Sequence, residues 1–418
     1  MAEIKPIRTM RFDTAVAGPL DELISPPYDV IDEALRAELA GGNTFNVVEI
    51  DLPVGEQKYE HAGDLIKQWM QVGALTAEDE PAYWVLRQDY EGPDGTTRTR
   101  TGLFCRVRVT DYGPGLIRPH ERTHPGPKQD RLDLMRATRM NLSPIFSLFS
   151  DASGDFRSAI DRVADGERFD RATDSNGTEN SIWRVADPAD VAAFTDALAD
   201  RELLIADGHH RYETARAYAA EVGGDGDHNF VLMYVCALED PGMTVFATHR
   251  LAENTTAEQR AAIEDVIAQN FETSEVTSDR LAPPEDTGVA GEFGYLDSFH
   301  KKPYRLKLKD QSIADMALDG FPSSYRRLDT AILEALLLKG ALGMSDDDIS
   351  HLNGLWYSSD VEEARSFVEN GRYDLCFFLR PTPIEQIREI AAAGVNMPPK
   401  STYFYPKIPT GFVFNPLY

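Results

Sequence analysis

The sequence predicts a mixed α/β protein, and three observations carry that prediction. Short apolar runs of strand length recur along the chain, stretches with helical spacing alternate with them, and the composition is that of a packed globular chain. The 418 residues hold 30 Gly and 25 Pro, well below the roughly 25–30% that marks low-complexity chains. A chain of this length divides into two or three domains, each able to bury a core.

Taken in order, Tyr83–Tyr90 and Arg98–Val109 are strand-like and flank Glu91–Thr97, whose Asp94-Gly95 pair signals a hairpin. Leu203–Ala206, Phe230–Leu238, Thr244–His249, Tyr304–Lys309 and Leu375–Leu379 read as further strands. Ala215, Tyr218, Ala219 and Val222 fall at i, i+3, i+4, i+7 and make the apolar stripe of a helix that follows His210. Other helices fit Thr256–Asn270, Arg327–Lys339, Val361–Asn370 and Pro383–Ala393. Leu281–Gly288 reads as a linker near a domain boundary. Lys400–Lys407 alternates aromatic and polar residues, as a strand does. Periodicity leaves the strand order open.

The formal charge of −27 excludes one class of partner. So acidic a chain repels nucleic acid and anionic membranes unless a local basic patch intervenes. Cys105, Cys236 and Cys376 lie more than a hundred residues apart, which argues against a disulfide framework or a thiolate zinc site. The start, MAEIKPIRTM, lacks the apolar run of a signal peptide, and the longest apolar run, Phe230–Leu238, is half a membrane span. A soluble, cytoplasmic protein is expected.

The strongest chemical signal is Leu203–Ala215, LLIADGHHRYETA. An apolar strand ends at Asp207, Gly208 permits a tight turn, and a helix begins at once. The first amides of a helix have no intrahelical acceptor and stand at the positive end of its dipole. Such an end binds phosphate, and Arg211 adds a planar donor fork. His209 and His210 supply donors or acceptors near neutral pH. The plainer alternative is that Asp207 caps the helix and the histidines are wet surface.

The second signal is Arg118–Arg131, RPHERTHPGPKQDR. His120–His124 matches the H-E-x-x-H zinc pattern formally, but Pro119 and Pro125-Gly126-Pro127 deny it the continuous helix that pattern needs. An irregular loop dense in cations fits better, with Arg118, Arg122 and Lys128 facing an anionic ligand and a short helix following; some of its arginines belong to structural ion pairs. A third, weaker signal is Ser25-Pro26-Pro27-Tyr28-Asp29-Val30, a stiff segment suited to holding Tyr28 and Asp29 in a site wall or to opening a helix. The P-loop, G-x-G-x-x-G, protein-kinase and G-x-S-x-G patterns do not occur.

PPYDVI, RTGLFCRV, IRPHERTHPGPKQDRLDLMRATRMNLSPIFSLFSD, IWRV, LLIADGHHRYETA and MPPKSTYFYPKIPTGFVFNPL resemble DUF1015, a bacterial and archaeal family of proteins of unknown function. The DGHHR stretch further resembles the G-x-H-R phosphate turn of the ParB/sulfiredoxin superfamily, which includes free-serine kinases. That resemblance implies a ParB/sulfiredoxin-like nucleotide-binding core over 1–250, with a second α/β region over 251–418. It places Gly208, His210 and Arg211 on phosphate-contacting positions. His209 stands where sulfiredoxin has its catalytic Cys, which argues against that repair chemistry.

What the resemblance implies is phosphoryl transfer from ATP or ADP with Mg²⁺ to a small hydroxyl metabolite, free L-serine first. In that scheme the amides from Gly208 to His210, with Arg211, cradle the phosphates and Asp207 steadies Mg²⁺. Glu121, His124 or Asp29 takes the hydroxyl proton. Arg211→Ala is expected to cut turnover about a hundredfold with the fold intact. The rival readings are a non-catalytic nucleotide switch and a metal-dependent hydrolase using His120, Glu121 and His124.

Overall fold

The computed structural model describes residues 2–92, 94–121, 125–285 and 288–418, with helices and strands interleaved throughout. Two compact units form. The first comprises Met1–Pro119, Thr123–Met243 and Pro406–Tyr418; the second comprises His120–Arg122 and Thr244–Tyr405.

The first unit is built on a nine-stranded mixed sheet. In chain order its strands are β1 (Ile4–Lys5), β2 (Tyr83–Glu91), β3 (Thr97–Arg108), β4 (Ile117–Arg118), β5 (Ile145–Phe149), β6 (Asp170–Thr173), β7 (Glu179–Val185), β8 (Leu203–Asp207) and β9 (Phe230–Ala237). They lie side by side as β4-β8-β5-β9-β3-β2-β7-β6, with β1 paired to β3. Only β4–β8 and β5–β9 are parallel pairs. β2 and β3 form the predicted hairpin, where Gly95 takes φ +70° and Glu91 pairs with Thr97.

Helices α1 (Lys58–Gln71), α2 (Pro125–Thr138), α3 (Asp155–Ala164), α4 (Pro188–Leu198) and α5 (His209–Val222) accompany the sheet. The core joins sheet residues Val85, Leu103, Met233 and Ile205 to Phe156, Phe194 and Tyr212 from the helices. The sequence placed an irregular loop up to Arg131, yet helix α2 already begins at Pro125. Proline is tolerated in a first turn because its missing N–H has no intrahelical acceptor to lose. The terminal residues return to this unit: Asn415 pairs with Asn141, and the Thr410 and Ser25 backbones exchange hydrogen bonds. Buried Arg100 donates to the Gln88 side chain and to the Pro406 carbonyl, both at 2.5 Å, and anchors the same segment.

The second unit holds a six-stranded antiparallel sheet of β10 (His249–Ala252), β11 (Phe271–Glu275), β12 (Glu292–Asp297), β13 (Tyr304–Leu308), β14 (Leu355–Ser358) and β15 (Leu375–Phe378), ordered β11-β13-β12-β15-β10-β14. Leu281, at the head of the stretch read as a linker, is buried in this unit's core beside Leu251, Leu296 and Phe378. The run predicted as one strand from Thr244 to His249 is divided: Thr244–Phe246 pairs with Tyr403–Tyr405, and the chain enters the larger sheet only at His249.

His249 is buried, its ring 5.3 Å from that of Phe378 and its Nδ1 accepting from the Leu379 amide at 3.2 Å. Burial, then the neighbouring Arg250 charge, pushes its pKa down to about 4. The unfolded imidazole takes a proton near pH 6.5, so the unfolded state binds more protons than the fold as pH drops. Stability is therefore lost from about pH 6.5 down to about pH 4, by ~3 kcal/mol at full effect. Urea titrations at pH 7 and pH 4.5 should show a smaller acid loss for His249→Gln than for the unsubstituted chain. Equal losses would reject the assignment.

Candidate functional site

Strand β8 is apolar and buried up to Ala206, because it lies between β4 and β5 in the sheet. The chain then turns at Gly208, whose φ of +97° and ψ of +29° lie in the left-handed region. The dihedral angle calls for glycine, and a Cβ there would stand 3.0 Å from the Arg211 guanidinium, which would have to give way by a few tenths of an ångström. Helix α5 begins at His209 with Gly208 as its N-cap, a residue that has no side chain to cap with.

The capping role that local sequence allowed Asp207 is not taken. Its carboxylate instead accepts from Arg211 Nη2 and from Lys407 Nζ, each at 2.6 Å. Arg211 also donates through Nη1 to the Pro144 carbonyl. Burial opposes ionisation of Asp207, but the Lys407 and Arg211 charges outweigh it and hold the carboxyl well below the usual carboxylate range. Two cations thus share one carboxylate at the positive end of a helix dipole, and the Asp29 and Asp51 charges also act on Arg211.

Around this turn lies a second set of polar side chains. Arg131 donates to the Asp51 carbonyl at 2.6 Å, pairs with Asp130 at 2.6 Å, and stands 4.2 Å over the Tyr28 ring. Ser143 donates to Asp51 at 2.6 Å and accepts from Thr410 at 3.0 Å. Burial raises the pKa of Asp51 and pushes that of Tyr28 up to about 12. A cavity of about 40 Å³ lies among Tyr28, Asp51, Arg131, Ser143, Arg211 and Thr214, room for a water molecule or two.

The fold brings together only part of the predicted set. Asp207, Gly208, His209, His210 and Arg211 form the turn and first helical residues, with His209 buried and His210 half-buried. Asp29 is exposed on the turn Tyr28–Val30, and its charge acts on Tyr28, Asp51 and Arg211. Lys128 sits in the first turns of α2, where its carbonyl accepts from Thr214 Oγ1 at 3.4 Å; its ammonium makes no ion pair among the described residues.

Arg118 does not join the turn: it pairs with Glu202 at 2.9 Å and lies in register with Leu204, three residues before Asp207. Glu121 belongs to the second unit, where its charge acts on Tyr357. Arg122 and His124 lie outside the described residues. His120 is buried, its Nε2 3.0 Å from Thr402 Oγ1 and its ring beside Phe404. Among the described residues no three His, Cys, Asp or Glu side chains are grouped so as to hold a metal ion. Arg136, as expected of the arginines in this stretch, serves ion pairs, with Asp133 and Glu221.

Lys407 and Asp51 were missed by sequence reasoning. Lys407 reaches Asp207 across two hundred residues, a separation at which no local spacing signal exists.

A family model described as "Protein of unknown function (DUF1015)" matches residues 4–331. The chain belongs to the DUF1015 family. Lys407 and the rest of the terminal segment lie beyond the matched residues.

Among solved structures, this DUF1015 chain is similar to a conserved hypothetical protein from Pyrococcus furiosus, at 16% identity and TM-score 0.36, covering 70% of this chain and 89% of that one. It is also similar to a free serine kinase variant in complex with ADP, at 12% identity and TM-score 0.37, covering 71% and 89%. A third is SbnI with a C-terminal truncation, from Staphylococcus aureus, at 10% identity and TM-score 0.36, covering 74% and 85%. No curated protein matches the chain. No described helix is long and apolar enough to cross a membrane.

Proposed function

We propose that this protein is a nucleotide-dependent phosphotransferase that moves a phosphoryl group from ATP or ADP to the hydroxyl of a small metabolite, with free L-serine the leading acceptor. The observation that carries the reading is the turn at Gly208: a left-handed glycine at the N-cap of a helix, with Arg211 and Lys407 on one carboxylate beside it. Phosphoryl transfer asks little covalent chemistry of a protein. It needs held phosphates, cations against the developing charge, an aligned hydroxyl and a proton acceptor.

In this reading the start of α5 and Lys407 receive the phosphate chain, while Arg211, tied to Asp207 and Pro144, keeps the turn in shape. Lys128, with no ion pair among the described residues, is the further cation for the transferred group. Asp29 is the predicted proton acceptor whose charge acts on Arg211, and it takes the hydroxyl proton. Mg²⁺ would be held chiefly by phosphate oxygens and water, which suits an ion that takes only one or two protein carboxylates. Asp207, already shared by two cations, is not assigned to it.

Lys407→Ala should weaken nucleotide binding about tenfold, the scale of one charge-assisted contact to phosphate. An unchanged Kd by titration calorimetry would remove Lys407 from the site.

One observation favours a second reading, a non-catalytic nucleotide switch. Lys407 belongs to the terminal segment, so a phosphate that captured its ammonium would break that segment's tie to Asp207. Phosphorus NMR of the purified chain with ATP or ADP, Mg²⁺ and a panel of hydroxyl metabolites separates the two. Phosphoserine formation is the expected result. Tight binding with no product would favour the switch, and neither binding nor product would overturn both.

A further inference from the structure

The first unit holds a second hollow that the phosphate turn does not use. Strands β5 and β9 run parallel, with Phe149 paired to Ala237, and a cavity of about 340 Å³ opens beyond their carboxyl ends. That volume falls within the roughly 300–1,000 Å³ of small-molecule sites. In open α/β sheets, ligands bind beyond the carboxyl ends of parallel neighbours. Asp207 pairs with Phe146, three residues from Phe149 along β5, a separation of about 10 Å. The two hollows are therefore distinct.

The cavity is lined by apolar Phe156, Ile160, Ala237 and Pro241 and by three acidic residues, Asp151, Glu239 and Asp240, with Arg157 the one basic residue among the described lining. The Asp151 carboxylate accepts from the Phe156 and Arg157 amides and that of Glu239 from Ser150 Oγ and the Asp151 amide, so Asp240 is the acid left to meet a ligand. Asp240 is only 7% exposed, and the fold positions it tightly. It accepts from Thr101 Oγ1 at 2.9 Å, the Thr101 amide at 3.3 Å and the Gly242 amide at 2.8 Å. Arg157 Nη1 stays 3.4 Å away while its Nε pairs with Asp161 at the surface, so the Asp240 charge is only partly met by a cation.

Burial raises the Asp240 pKa, an electrostatic cost that a cation in the cavity relieves. A bare metal ion does not suit the space. Among the described residues no three ligands are grouped for one, and the volume far exceeds an ion's. An anion is disfavoured beside Asp240, whose carboxylate lines the cavity.

We propose that this cavity binds a small organic amine, its ammonium on Asp240 and its apolar body against Phe156 and Ile160. The site is independent of the nucleotide reading.

The test is ligand-observed NMR and calorimetry on the full chain with 2-phenylethylamine, 2-phenylethanol and 3-phenylpropanoate. Saturable amine binding is expected, with the alcohol at least tenfold weaker and the carboxylate absent. Asp240→Asn should weaken the amine tenfold or more and leave the alcohol unchanged. Ile160→Trp, which fills the apolar side, should abolish both. Should Asp240→Asn fail to fold, Glu239→Gln supplies the charge test, with amine affinity expected to fall severalfold. The proposal is overturned if the amine does not bind, if amine and alcohol bind equally, or if amine binding survives both a charge variant and Ile160→Trp.

Discussion

Asp207→Ala should lower folding stability by about 3 kcal/mol or more at neutral pH, the cost of leaving buried charges without their counter-ion. The Arg211 and Lys407 side chains are 10% and 16% exposed, and both lose their 2.6 Å partner. Adding Lys407→Met in the same chain should recover part of the loss, because one orphaned cation disappears with its desolvation cost. The pH dependence follows from the direction of the shift. Burial alone would raise the Asp207 pKa, but Lys407 and Arg211 carry it below its unfolded value. Its contribution is thus present above the ordinary carboxylate range and lost as pH falls below that range. Urea midpoints at pH 7 and pH 3 should therefore lie far apart for the two proteins at the former and converge toward the latter. A midpoint unchanged at pH 7 would show that the triad holds nothing together.

Gly208→Val should abolish measurable nucleotide binding, a loss on the order of a hundredfold or more. Valine at φ +97° is strained by several kcal/mol, and its Cβ would meet the Arg211 guanidinium at 3.0 Å. Relief of the backbone strain and of that contact shifts the turn and the Arg211 guanidinium that holds Asp207. Gly208→Ala should show the same effect in smaller measure, since its Cβ meets the same group. Calorimetric titration with ADP reads both variants, and circular dichroism confirms their helix content. Wild-type affinity in Gly208→Val would remove the turn from the nucleotide site.

The same contacts revise one expectation. Arg211→Ala cannot be a pure activity variant, because the side chain is buried and holds both Asp207 and the Pro144 carbonyl. Loss of stability should accompany any loss of turnover.

Local sequence determined the elements and the turn. The hairpin around Asp94-Gly95, strand Leu203–Asp207, helix His209–Val222 and the need for glycine at 208 all follow from spacing and backbone sterics within a few residues. It also expected ion pairs for some arginines of the helix after the basic loop, as Arg136 makes, but kept Arg118 for an anionic ligand. Tertiary structure alone decided what each charge does. It gave Asp207 to Lys407 rather than to the helix cap, Arg118 to Glu202, and Arg131 to Asp51 and Tyr28. It also divided the run 244–249 between two sheets and raised a cavity over the ends of β5 and β9. The reason is physical: backbone conformation is set by neighbours a few bonds away, whereas a buried charge takes whichever counter-charge the packed chain brings within 3 Å, however distant in sequence.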